Sequence, residues 1–162
     1  EIHFLFIGAG AKKKWLDSAV AERELTNVTV LDYRPRSEQT LFLNACDVGL
    51  VALIKGMLGT AMPSRTYNIM AAGKPIIALT DEGSELARVI DEEGIGWHVR
   101  PGNAAALEEA ILAARDTRTE LEQMCPRARA SAEAKYSLAD ACEAYRQAIE
   151  MPKGLGSTRG AD

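Results

Sequence analysis

Short, almost wholly apolar runs separated by stretches of helical spacing constrain this chain more than anything else in it. They read HFLFI from His3, NVTVL from Asn27, DVGLVAL from Asp47, KPIIALT from Lys74 and GWHVR from Gly96. A strand that is apolar on both faces must be covered on both faces, and that is the pattern of a parallel sheet with helices above and below it. The predicted class is therefore α/β, a doubly wound, Rossmann-like parallel sheet. Between the runs, residues 12–25 place Trp15, Leu16, Ala19, Val20 and Ala21 at helical spacing. Ser37, followed by Glu38, reads as the N-cap of a second helix. Ser84 caps another, which Gly94 stops. Residues 103–116, 118–135 and 137–150 then form a helical C-terminal segment, with Ser137 as a cap. Residues 1–150 thus read as one domain and the Gly-rich 151–162 as a flexible tail.

Composition narrows the partners. The formal net charge is −4 with both signs mixed along the chain, which leaves no basic footprint for nucleic acid. No apolar run has the length of a membrane span, and none reads as a signal peptide. Cys46, Cys125 and Cys142 are widely spaced without a CxxC pair, so free thiols in a reducing, cytoplasmic setting are expected. His3 and His98 lack a second ligand at metal-binding spacing and read as ordinary strand side chains, so no metal site is expected. Glu1 is not a methionine and runs directly into a strand, so the expectation is a piece of a longer polypeptide.

Ligands of a doubly wound sheet bind beyond the carboxyl ends of its strands, so the loops that matter are Gly8–Lys14, Tyr33–Ser37, Ile54–Ser64 and Asp81–Ser84. GAGAKKK places Gly8 and Gly10 where the chain must turn, with Lys12 entering the next helix. That suits an anionic group, and equally a plain turn with solvated lysines. It is not a dinucleotide fingerprint, because Lys13 stands where the third glycine of G-x-G-x-x-G belongs. YRPRSE could stack a base on Tyr33 or hold one against backbone groups, and equally it reads as a proline-rich turn with solvated arginines. The loop IKGMLGTAMPSR differs in kind, because it is long, makes a poor strand or helix, and leads straight into a helix beginning at Ser64 and Arg65. On their own these letters fit Ser64 as a simple N-cap and Arg65 as a surface arginine.

From Phe4 to about Tyr145, and most specifically in PSRTYNIMAAGKPIIALTDEGSELARVI and GIGWHVRPGNAAALEEAI, the chain resembles the C-terminal, nucleotide-sugar-binding lobe of GT-B glycosyltransferases of the retaining family 4. The resemblance implies a donor-binding lobe that takes a nucleoside diphosphate sugar as substrate, with no separate cofactor, in an enzyme that transfers the sugar with retention. It implies donor contacts at Gly8, Gly10, Lys12, Arg34, Thr60, Pro63, Ser64, Arg65 and Asn68. The family carries two glutamates at the positions of Thr60 and Asn68. Asn68 can still exchange hydrogen bonds with a ribose diol, but without charge. Acceptor-side catalytic groups are expected in an N-terminal lobe of the same protein, which is the implied partner, and a phosphate-clamping Arg–Lys pair on a first strand and helix of the C-terminal lobe ahead of Glu1. Peripheral membrane association of that longer protein and a role in polysaccharide biosynthesis are further expectations.

Rival readings are a GT-B sugar-nucleotide epimerase lobe and a non-enzymatic flavodoxin-like or receiver-like domain. A receiver needs acidic residues after its first strand and an aspartate after its third, where Gly8, Ala9, Gly10 and Ile54 stand. A flavodoxin-like phosphate loop is rich in Ser and Thr, and GAGAKKK has neither. The complete lobe has sheet order 3-2-1-4-5-6, so the expectation is that its first strand and helix are missing here. Residues 3–7 and 48–53 should then flank a gap rather than pair directly.

Overall fold

The computed structural model describes residues 1–57, 59 and 62–150. Strands and helices alternate: β1 (Phe4–Ile7), α1 (Lys13–Glu22), β2 (Val28–Leu31), α2 (Gln39–Ala45), β3 (Gly49–Ala52), α3 (Ser64–Ala71), β4 (Ile76–Leu79), α4 (Glu85–Glu93) and β5 (Gly96–Val99). Helices α5 (Ala104–Asp116), α6 (Arg118–Lys135) and α7 (Leu138–Glu150) follow. Every strand pair is parallel. Among the described residues the strands fall into two sheets, β1–β2 and β3–β4–β5, and β1 does not pair with β3. The expected gap is therefore present as two sheets that share no ladder.

The three-stranded sheet is covered on both faces, as its apolar strands require. Alternate residues of β4 serve opposite layers. Ile76 and Ala78 join Val51, Ile69, Met70, Leu86, Ile90 and Ala128 of β3, α3, α4 and α6. Ile77 joins Val99, Ala110, Ala114 and Leu121 on the side of α5. The two-stranded sheet has no such cover: no residue from Glu1 to Val48 is buried, and Gly49 is the first that is. Helix α7 likewise buries none of its residues.

The helix ends show which local signals decide. Ser84 Oγ accepts from the Ala87 N–H at 3.1 Å, and Gly94 closes α4 in the left-handed region at φ 60°. Ser137 Oγ accepts from the Asp140 N–H at 3.1 Å, which makes it the cap the sequence predicts. Ser37 is a correction. Pro35 sets an extended start, residues Arg36–Glu38 form a single 3₁₀ turn, and α2 begins only at Gln39 with no side-chain cap. The proline-directed turn displaces the helix start beyond the reach of the Ser37 hydroxyl. Helix α3 packs closely on α6 because its far end is small: Arg129 Nη1 donates to the Ala71 carbonyl at 2.5 Å, and a Cβ on Gly73 would lie 3.4 Å from the Cys125 carbonyl.

A second tie joins α4 to α6. Glu93, its side chain 8% exposed, accepts from Lys135 Nζ and Ser131 Oγ, each at 2.7 Å. The Lys135 ammonium, then the Ser131 hydroxyl, hold the Glu93 carboxyl below its ordinary value of 4.5. A depressed folded-state value adds stability above the unfolded one, and that stability is lost as pH falls through the folded value. Glu93→Gln is expected to cost about 1 kcal/mol near neutrality, a modest figure because Lys135 is largely exposed. In urea titrations the difference from the unaltered protein should vanish as the pH drops below the carboxylate range. A difference that persists undiminished in acid would show that the charge is not its source.

Candidate functional site

The carboxyl ends of β3, β4 and β5 form one edge, and α3 starts there. Pro63 precedes the helix in an extended conformation, and its carbonyl accepts from the Thr66 N–H at 2.9 Å. Pro63 occupies the N-cap position of α3 and no side chain among the described residues caps the helix, so the alternative of Ser64 as an N-cap does not apply. Among the described residues no acceptor meets the N–H groups of Ser64 or Arg65. Arg65 is exposed and makes no ion pair among the described residues. Asn68 lies one turn further along and is half-buried, while Thr66, in the same first turn, is fully buried with its Oγ1 unpartnered. The positive end of α3 and the exposed Arg65 side chain thus stand together, with Asn68 one turn behind them. That arrangement is suited to an anion attached to a hydrogen-bonding group.

The other predicted residues lie on the two-stranded sheet, also beyond strand ends. Gly8 donates to the Leu31 carbonyl at 3.1 Å, and Gly10 accepts from the Lys13 N–H at 2.9 Å, so the turn into α1 is closed by backbone bonds. Lys12 is exposed at the start of α1. Lys13, by contrast, is engaged by Asp17 at 2.9 Å and Asp32 at 3.3 Å, which raise its pKa. Arg34 lies 3.8 Å from Glu38 and Tyr33 is 71% exposed. The structure therefore places the predicted residues in two groups, Pro63, Ser64, Arg65 and Asn68 around α3, and Gly8, Gly10, Lys12 and Arg34 on the neighbouring sheet. Thr60 lies outside the described residues.

Sequence reasoning marked the loops after β3 and β4 but singled out no residue of the cavity they border. A cavity of about 470 Å³ opens at the same edge, lined by Lys55, Asp81, Glu82, Arg100 and Pro101. Arg100, just past β5, pairs with Glu82, just past β4, and depresses the Glu82 pKa through that hydrogen bond. Asp81 accepts from the Gly56 N–H at 2.7 Å. The only signal for these residues in the sequence was their place directly after strands.

The histidines have ordinary partners. His3 Nε2 lies 2.9 Å from Thr29 Oγ1, and His98 Nδ1 lies 3.1 Å from Asp91 Oδ1. Cys46, Cys125 and Cys142 are free thiols, and burial raises the Cys46 pKa. Among the described residues no helix is long and apolar enough to cross a membrane.

This is a parallel α/β lobe of Rossmann-like architecture, with a helix start at the carboxyl edge of its sheet. Residues 1–131 match the family of glycosyl transferases group 1, and the chain belongs to that family. It is 41% identical over 108 residues to "Probable glycosyltransferase WbjE" of Pseudomonas aeruginosa, which covers 67% of this chain and 27% of that protein. It is 25% identical over 155 residues to "Amylovoran biosynthesis glycosyltransferase AmsK" of Erwinia amylovora, covering 94% of this chain and 37% of the relative. In fold it resembles the crystal structure of Anabaena HepE in complex with UDP, with a TM-score of 0.71 at 18% identity, over 91% of this chain and 41% of that one. The HepE structure with UDP-glucose superposes with a TM-score of 0.69 at 19% identity. The chain thus spans 27% and 37% of the length of these two curated relatives.

Proposed function

We propose that this chain is the donor-binding lobe of a glycosyltransferase that takes a sugar from a nucleoside diphosphate sugar and passes it, with retention, to an acceptor held by another lobe of the same protein. The observation that carries the reading is the start of α3, which no side chain among the described residues caps, and where the Ser64 and Arg65 amides and the Arg65 guanidinium stand at the strand-end edge of a group 1 lobe. When the bond from the anomeric carbon to the diphosphate breaks, negative charge builds on the departing phosphate oxygen. Helix-end amides and an arginine that need no rearrangement lower the cost of that charge. They also meet the diphosphate without a metal or a separate cofactor. Asn68 serves the ribose hydroxyls, and Lys12, at the turn of Gly8 and Gly10, approaches the diphosphate from the neighbouring sheet. Arg34 contributes once its pairing with Glu38 is exchanged for the donor. Bound UDP and UDP-glucose in the HepE structures supply the ligand class to test first. The longer protein works in the cytoplasm, where such donors are made, with peripheral attachment to a membrane bearing its acceptor. A role in polysaccharide assembly follows the name of the Erwinia relative.

The test is calorimetric titration of the full-length protein with UDP, GDP, ADP and dTDP. One of them should bind, and Arg65→Ala should weaken that binding by about 1.5–3 kcal/mol, roughly ten- to a hundredfold, as for one charge-assisted hydrogen bond. Unchanged affinity in the variant would return Arg65 to a surface charge and remove the site.

A further inference from the structure

The loop that leaves β3 is fastened to the neighbouring strand's loop before it enters α3. Leu53 donates to the Leu79 carbonyl at 2.8 Å, and three residues later the Gly56 N–H donates to Asp81 Oδ2 at 2.7 Å, across 25 residues of sequence. Gly56 has φ +88°, a conformation glycine adopts without strain, and this turns its N–H toward the carboxylate. Asp81 itself stands on a braced turn. The buried Thr80 and Ser84 hydroxyls lie 2.8 Å apart, Ser84 donates its N–H to the Asp81 carbonyl at 3.2 Å, and Ser84 Oγ caps α4. Thr80 is tied in turn to the Val99 carbonyl of β5 at 2.9 Å. At the loop's other end Met62 packs on the core beneath α3 and Pro63 sets the helix start.

Asp81 also differs from the carboxylate next to it. Its neighbour Glu82 is paired with Arg100, whereas Asp81 makes no ion pair among the described residues. The Asp81 carboxylate shares its cavity with Lys55 and Arg100, and on an edge that receives an anion its negative charge opposes binding. Its hydrogen bond to the loop supplies the compensating gain.

We propose that Asp81 is a positioning residue for the donor: its carboxylate anchors the β3–α3 loop at Gly56 and so fixes where Ser64 and Arg65 present their amides and guanidinium to the diphosphate. This rests on the reading of α3 as the diphosphate site. An anchored loop meets the ligand already ordered, while a released one must be ordered at the expense of affinity.

The experiment compares Asp81→Ala and Asp81→Asn in the full-length protein, with UDP, GDP, ADP and dTDP as probes and Arg65→Ala alongside. Asp81→Ala should weaken the bound diphosphate about tenfold, the scale of one hydrogen bond. Asp81→Asn, which keeps an oxygen acceptor, should restore binding to within about twofold. Hydrogen exchange of a peptide spanning residues 54–57 should quicken in the alanine variant alone. If Asp81→Ala fails to fold, Asp81→Ser replaces it, since serine suits the turn but its hydroxyl stops one bond short of Gly56. Unchanged affinity in the alanine or serine variant, with Arg65→Ala still weakened, overturns the anchor and leaves the site standing. Equal weakening in the alanine and asparagine variants also overturns it. If Arg65→Ala binds normally, the site itself fails and the anchor with it.

Discussion

Gly96→Ala is expected to cost about 4 kcal/mol or more and to abolish cooperative unfolding of the lobe, the largest effect foreseen for any single methyl group. Gly96 opens β5 directly opposite Ile76 in the parallel ladder, at φ +156°. A Cβ built there would lie 1.8 Å from the Ile76 carbonyl oxygen, 2.8 Å from its carbon and 2.9 Å from its nitrogen. Those atoms are backbone, so no rotamer change relieves the clash. Relief requires β5 to move off β4, at the point where the Ile76 N–H bonds the Ile95 carbonyl at 2.9 Å and the Ile76 side chain is fully buried. The same movement would loosen Trp97 and Val99 from the layer beneath α5. Gly10→Ala is the matching control, because a Cβ at Gly10 would meet nothing within 4 Å and its backbone is not left-handed. Thermal melts of the two variants decide the matter. Gly96→Ala melting within a few degrees of Gly10→Ala would mean that the β4–β5 ladder yields more readily than a packed interior should.

How much of this was legible follows the range of each interaction. Ser84, Gly94 and Ser137 could be placed from the sequence because each acts on residues three or four positions away. Ile76, Ala78 and Ile77 could be assigned to a two-faced sheet because an apolar run has only that use in an α/β chain. Ser37 misled because the signal of a capping serine competes with Pro35, and the proline's fixed backbone decides the outcome. Pro63, Ser64 and Arg65 were read correctly as a helix start, but that no side chain among the described residues caps it is a fact of geometry. Asp81 and Gly56 were beyond reach, since a hydrogen bond across 25 residues leaves no trace in either neighbourhood. The same holds for Arg100 and Glu82, which meet only because β4 and β5 are neighbours.

Residues 1–150 prepared alone are expected to self-associate, and a protein extended N-terminally to the length of the relatives is expected to lose that tendency. In a parallel ladder alternate residues bond one neighbour and those between bond the other. Phe4 donates to the Asn27 carbonyl and Gly8 to the Leu31 carbonyl, so Leu5 and Ile7 direct their amides and carbonyls away from β2. Gly49 and Leu53 donate to Pro75 and Leu79, so Leu50 and Ala52 direct theirs away from β4. The apolar side chains on these edges are correspondingly bare, with Leu5 41%, Phe6 38% and Leu50 48% exposed. Unpaired edges beside exposed apolar residues invite another strand. One parallel strand laid between β1 and β3 satisfies both rows at once, and its helix would cover the stretch from Glu1 to Val48 that now buries nothing. The readout is sedimentation for association and hydrogen exchange for the edges. Amides of Leu5, Ile7, Leu50 and Ala52 should exchange fast in dilute residues 1–150 and slowly in the longer protein. A monomeric, slowly exchanging 1–150 would mean that β1 closes on β3 unaided. Fast exchange in both proteins would mean that the edges stay open in the longer protein and that the lobe's stability comes from β3, β4 and β5 alone.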